Sequence, residues 1–300
     1  MRIDVHQHLW PEPFLDALRR RSRPPRLEGW TLHLQDAPPF SVDPADHDPE
    51  RRVALAAEDG LDLALVAPSA ALGLSDLPPK RAGELAAAWE EGVAALPAPF
   101  RAWTMTALRE PDLRALAAAL DAGCVGLELP ATAMATPAAV ERLAPLLELV
   151  EAHGRALLVH PGPAPEPPRA PGWWSPVVPY VQQLHAAWWA WWEAGRSLLP
   201  RLPVVFAALA GLAPLHGERH RVRGGAARPV DPATFVETSC YGPQAVDATL
   251  RVLGVDVVCL GSDRPYAPPA PLGLGAAVQR ALGEANPERL LAAAPAQAAA

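Results

Sequence analysis

The residues best suited to chemistry open the chain: His6 and His8 flank Gln7 in Ile3-Asp4-Val5-His6-Gln7-His8. Residues i and i+2 of a strand project to the same face. Two imidazoles at the end of one inward-facing strand can therefore share a metal ion. His160 closes the apolar run Ala156-Leu157-Leu158-Val159 and Asp263 follows Val257-Val258-Cys259-Leu260-Gly261-Ser262. Each has an ordinary alternative: a surface histidine pair, a core histidine bonded to backbone, an aspartate paired with Arg264 or capping a turn. Three imidazole nitrogens and one carboxylate meeting at one place would suit Zn²⁺ or a similar divalent ion, with a position open for water or substrate. Such an ion lowers the pKa of bound water or polarises a substrate oxygen.

The elements that could bring these residues together are legible. Eight short apolar runs recur, at 2–8, 62–67, 101–106, 124–129, 155–160, 203–207, 234–239 and 255–260. Several are near-continuous Val, Leu and Ala, as expected of parallel strands covered on both faces. Ala- and Leu-rich segments at 50–59, 80–95, 112–122, 137–153 and 243–253 alternate with them. Asp48-Pro49 reads as an N-cap followed by proline at the first helical position. Gly123, Gly154 and Gly254 read as stops. The pattern predicts an α/β chain forming a (β/α)8 TIM-like barrel over residues 1–300 as a single domain. An open doubly wound sheet is the runner-up, but His-Gln-His-Leu-Trp stands where its glycine-rich first turn would be. The ends of strands one, five and eight, which carry His6, His8, His160 and Asp263, share one mouth in a barrel. Two long connections, 23–47 and 161–202, are expected to wall or cover it.

Four segments resemble the amidohydrolase-related family of metal-dependent barrels, in the branch of aminocarboxymuconate-semialdehyde decarboxylase and related aromatic-acid decarboxylases: IDVHQHLWP at 3–11, LLVHPG at 157–162, PVVFAALAG at 203–211 and GSDRPY at 261–266. The resemblance spans almost the whole chain and implies His6, His8, His160 and Asp263 as metal ligands. The family usually has a further histidine at the end of the sixth strand, and Ala208 occupies that position here. The expectation is a metal-dependent hydrolase or non-oxidative decarboxylase acting on a small aromatic or unsaturated acid, lactone or amide, with one divalent metal, zinc, and Asp263 moving the proton. The rival from another class is a catalytically degraded barrel that binds a small ligand or a partner. A metal-free hydrolase using the histidines as acid and base is a third reading.

Composition narrows the partners. With 26 basic and 33 acidic side chains the net charge is −7, and no basic stripe exists to neutralise phosphates, so nucleic acid is not expected. No run of about 18 apolar residues suggests a membrane span. Cys124, Cys240 and Cys259 have no disulfide or metal spacing, and the start MRIDVHQHL has no charged-then-apolar leader, so a cytoplasmic setting is expected. The 37 prolines, with Lys80 and Asn286 the sole members of their types, reflect a GC-rich codon bias more than linkers.

Other candidates are Trp10, Glu128 and Arg264 as substrate-binding groups, and Ser239 and Tyr241 near the end of the seventh strand. Arg264 could hold a substrate carboxylate bidentately or pair with a neighbouring acid. His216 and His220, spaced i and i+4, read as a solvated helix face rather than a substitute for the missing histidine. Six of ten tryptophans lie at Trp173, Trp174, Trp188, Trp189, Trp191 and Trp192. They are expected in packing or in the interface of a homo-oligomer, a dimer, in preference to a lid.

Overall fold

In the computed structural model, which describes residues 1–35 and 37–292, eight strands form one parallel sheet in sequential order. They are β1 (Ile3–Gln7), β2 (Leu63–Val66), β3 (Phe100–Thr104), β4 (Gly126–Pro130), β5 (Ala156–His160), β6 (Val204–Phe206), β7 (Thr234–Glu237) and β8 (Val258–Cys259). The last strand returns to the first. The Val5 amide donates to the Leu260 carbonyl at 2.9 Å, the Asp263 amide to the His6 carbonyl at 2.9 Å, and the His8 amide to the Arg264 carbonyl at 2.6 Å. The sheet is thus a (β/α)8 barrel rather than an open sheet, and closure removes its edges. Every residue of β1, β2, β4, β5, β6, β7 and β8 is buried, because helices cover the outside while side chains fill the inside.

The helices start and stop where local chemistry directs. Asp48 caps Pro49–Glu58 by accepting from the Glu50 and Arg51 amides, Asp112 caps Leu113–Asp121, and Thr136 caps Pro137–Ala152. These side chains satisfy donors that the first helical turn leaves unpaired. Beyond three of the helix ends Gly123, Gly154 and Gly254 take positive φ.

The long connections hold more structure than their sequence suggested. After β1 comes a helix, Glu12–Arg19, then a three-stranded antiparallel sheet of Arg26–Glu28, Thr31–His33 and Phe40–Ser41. Strands of two or three residues carry too few side chains for alternation to register. Between β5 and β6 runs the helix Pro179–Ala190, which continues through a widened turn at Trp191–Gly195 to Arg196–Leu198. Trp188 and Trp191 on this segment are buried: Trp188 packs edge-on against Phe206 of β6, and the Trp191 indole donates to the Thr234 hydroxyl at 3.0 Å. Trp189 and Trp192 are only partly covered; Trp189 stacks on His220 with ring centroids 4.8 Å apart. His216 is exposed and meets His185 edge-on.

Beyond β6 the backbone turns left-handed for five residues, Ala208 to Leu212, with φ between 47° and 60°. For L-residues this conformation costs roughly 1–2 kcal/mol each. The packing explains why one of them is glycine. A Cβ on Gly211 would sit 2.7 Å from the Val181 carbonyl oxygen, so only glycine lets the Pro179–Ala190 helix approach this turn so closely. Gly211→Ala is therefore expected to destabilise the fold by about 1–3 kcal/mol through overpacking, read as a lowered urea midpoint. An unchanged midpoint would mean that the helix shifts freely.

Candidate metal centre

His6, His8, His160 and Asp263 converge, and one ligand atom from each lies within 4.8 Å of all the others. The three rings stand nearly perpendicular to one another, with centroids 4.9–5.2 Å apart and interplanar angles of 82–85°. His6 and His8 project inward from β1 and its end, His160 closes β5, and Asp263 follows β8. The Asp263 backbone is left-handed, φ 63°, a conformation that aspartate tolerates better than most residues.

Each imidazole is oriented from behind. His8 Nδ1 lies 2.9 Å from the Ala67 carbonyl oxygen, His160 Nδ1 is 2.8 Å from that of Pro161, and His6 Nδ1 is 3.1 Å from Glu237 Oε1. A carbonyl can only accept, so His8 and His160 carry their proton on Nδ1 and turn the Nε2 lone pair inward. The Glu237 carboxylate makes the same demand of His6. His6 Nε2 and His8 Nε2 then face each other at 3.2 Å, with Asp263 Oδ1 3.1 Å from His8 Nε2 and 3.7 Å from His6 Nε2. Inward lone pairs beside a carboxylate repel unless a cation stands among them. The donor set therefore fits a divalent ion.

The field agrees. Burial would lower the His6 pKa, yet the Glu237 hydrogen bond and the charges of Glu237, Asp263 and Glu128 raise it to about 9. Burial should raise the Asp263 pKa, but its contact with His8 and the positive charge that the neighbouring imidazoles can take up bring it below its usual value. These carboxylates favour positive charge at this point in the barrel, whether it is a proton on His6 or an ion on its Nε2 lone pair.

The other sequence candidates divide. Glu128, on β4, is buried; it accepts from the Ala70 amide at 2.9 Å and stands 3.8 Å from His160 Nδ1, beyond hydrogen-bond range. Arg264 pairs bidentately with Asp59 at 2.8 and 2.9 Å, the neighbouring acid that the sequence left as its alternative partner. Trp10 is fully buried, its indole donating to the Pro68 carbonyl at 3.2 Å and its ring packed in a hydrophobic cluster with Leu9 and Phe14. Ser239 donates to Glu237. Ala208 is partly buried and offers only its backbone, an amide 2.7 Å from Glu237 Oε1.

Three residues were missed. Glu237, at the end of β7, is wholly buried, and a lone carboxylate in Thr-Phe-Val-Glu was its signal. Cys240 donates its thiol to Asp263 Oδ2 at 3.4 Å. Tyr266 lies against His8 with centroids 5.4 Å apart.

No protein-family model matches the chain, and no curated protein sequence matches it. Solved structures do. IDCase from Metarhizium anisopliae, in apo form, is 17% identical, with a TM-score of 0.71 and 97% of each chain covered. The 5-carboxyvanillate decarboxylase LigW from Sphingomonas paucimobilis is 20% identical, with a TM-score of 0.68 over 97% of this chain and 98% of its own. A dihydroxybenzoic acid decarboxylase from Polaromonas, solved with bound manganese and the inhibitor 2-nitroresorcinol, is 18% identical, with a TM-score of 0.67 over 97% and 96%. The fold is theirs. At this identity the likeness speaks to the barrel as a whole. Among the described residues no helix is long and apolar enough to cross a membrane, and the three cysteines are unpaired.

His47, in the connection after β1, stacks on Trp10 at 4.5 Å and 7° and accepts the Trp10 amide on Nδ1 at 3.0 Å. Burial, with Arg52 and His8 adding, pulls its pKa down to about 3 from 6.5. Between those values the unfolded chain binds the extra proton, so this contribution to stability is full above about pH 6.5 and is lost as pH falls towards 3. Comparing urea unfolding at about pH 7 and about pH 5, His47→Gln should lose roughly 2 kcal/mol less than the native chain. Equal losses would mean that His47 is not held neutral.

Proposed function

We propose that this chain is a metal-dependent enzyme of the amidohydrolase-related, aminocarboxymuconate-semialdehyde decarboxylase-like type. The observation that carries the reading is the convergence of His6, His8, His160 and Asp263 with each ring fixed from behind. The reaction it favours is non-oxidative decarboxylation of a small aromatic or unsaturated carboxylic acid, with hydrolysis of a lactone or amide as the other possibility. Decarboxylation needs a single proton delivered to carbon, and Asp263 is the one carboxylate among the four residues. Hydrolysis is better served by a second acid, and Ala208 stands where the family's additional histidine would be.

His6, His8, His160 and Asp263 would hold one divalent ion, for which we favour zinc; the manganese reported for the Polaromonas neighbour is the chief competitor. The bound ion would act as a Lewis acid on the substrate's carboxylate and an adjacent oxygen. Tyr266 would flank the ring of the substrate, and burial around Glu128 would exclude water. Asp263, ionised as a ligand, would act as a shuttle: it would take up a proton from solvent or from the substrate and pass it to the ring carbon as the carbon–carbon bond breaks, so that a C–H bond forms, carbon dioxide leaves and the carboxylate is restored. We place the enzyme in the cytoplasm and expect a homodimer, in which the partly covered rings of Trp189 and Trp192 could be finished by a second copy.

Metal analysis should find about one ion per chain, lost in His8→Ala. In a panel of aromatic acids, lactones and amides with carbon dioxide release recorded, Asp263→Asn should lower turnover by about 10²–10⁴. A chain that binds no metal overturns the reading. Turnover in Asp263→Asn equal to native removes the proton-transfer role. Stoichiometric metal without turnover of any substrate favours the degraded binding barrel instead.

A further inference from the structure

Glu237 is a buried carboxylate whose only titratable partner among the described residues is the ring of a metal-ligand candidate, His6. It is 0% exposed. Oε1 accepts from His6 Nδ1 at 3.1 Å, the Ala208 amide at 2.7 Å and the Ser239 hydroxyl at 2.6 Å, and Oε2 accepts the Ser239 amide at 2.6 Å. Among the described residues no Lys or Arg joins this set. With His6 neutral, as a metal ligand must be, these donors satisfy its lone pairs but leave its charge uncompensated, and an unpaired buried charge is costly. The nearest place for the compensating charge is the far side of the His6 ring, where the four ligand atoms meet.

The surroundings are shaped to keep this carboxylate where it is. A Cβ on Gly261 would lie 2.0 Å from Glu237 Oε2, so the segment that follows β8 presses bare backbone against it. The left-handed turn after β6 delivers the Ala208 amide from the other side. Both features act on the backbone, whatever side chain stands at 208.

We propose that Glu237 is the positioning residue of the metal site: it fixes the His6 tautomer and ring, and with Asp263 it supplies negative charge that balances a dication bound through neutral imidazoles. This rests on the metal-site reading above. Glu237 touches neither substrate nor ion; it acts through His6. A histidine ligand backed by a carboxylate is both oriented and made a better donor, and removing such a partner typically weakens metal binding 10–100-fold.

The test is metal affinity, read without any substrate. Native chain, Glu237→Gln, Glu237→Asp and Ser239→Ala are stripped of metal, checked by circular dichroism and thermal melting, and titrated with Mn²⁺ and Zn²⁺ against a chelator of known affinity. In Glu237→Gln the amide nitrogen would face the Ser239 amide, so the variant loses both the charge and a matched partner. Its Kd should rise about 10–100-fold, with stoichiometry still near one at saturation. Glu237→Asp, which restores the charge on a shorter arm, should recover part of the loss. Ser239→Ala, which keeps the carboxylate but removes its hydroxyl donor, should show a smaller rise. A Glu237→Gln Kd within about twofold of native overturns the proposal. If Glu237→Gln does not fold, Ser239→Ala decides: affinity equal to native counts against the proposal and weakened affinity supports it. Absence of binding by the native chain is a separate result, which removes the metal site itself.

Discussion

The hydrogen bond from the Asp263 amide to the His6 carbonyl, with its neighbours from Val5 to Leu260 and from His8 to Arg264, joins the two ends of the chain. Everything at the mouth depends on this closure. Without it β1 and β8 would be opposite edges of an open sheet, and the histidine pair would sit a full sheet's width from the aspartate. Closure converts residues at the two ends of the sequence into neighbours at hydrogen-bond range.

Behind the ligand atoms lies a layer whose function is orientation. Ala67 and Pro161 contribute only carbonyl oxygens, and Glu237 contributes a carboxylate. Asp4 belongs to the same layer: buried, it accepts the His6 and Ser262 amides and the Gln7 side chain. Arg52, also buried, reaches the Gln7 side chain and the His8 carbonyl. The strand ends carrying His6, His8 and Asp263 are thereby tied to one another independently of any ion. Such pre-organisation limits the ordering that a bound ion would otherwise demand.

The end of β6 illustrates how a missing side chain changes a site without dismantling it. Ala208 has no group to offer a substrate, yet its amide anchors Glu237, and the left-handed run that follows lets Val181 and its helix close over the barrel. The backbone of this turn supports the site even though a histidine is absent from it.

By itself the sequence determined the barrel and its ligand candidates. Near-continuous apolar runs mark strands covered on both faces, and capping residues and glycines mark helix limits, because these signals are local. His6, His8, His160 and Asp263 were legible for the same reason: each sits at the end of such a run, and strand ends meet at one mouth in a barrel. What the sequence could not give is the direction of side chains beyond the strand ends. Arg264 adjoins Asp263 yet turns to Asp59, and Trp10 follows the histidine pair yet packs in a hydrophobic cluster with Phe14. Glu237 shares the face of Ser239 but was passed over, since its importance lies in reaching His6, far away in the chain. The short antiparallel strands between Arg26 and Ser41 have too few residues for a period. Local pattern sets which elements form; only the packed tertiary structure decides which polar atoms face one another, because that depends on distances between segments that no spacing along the chain encodes.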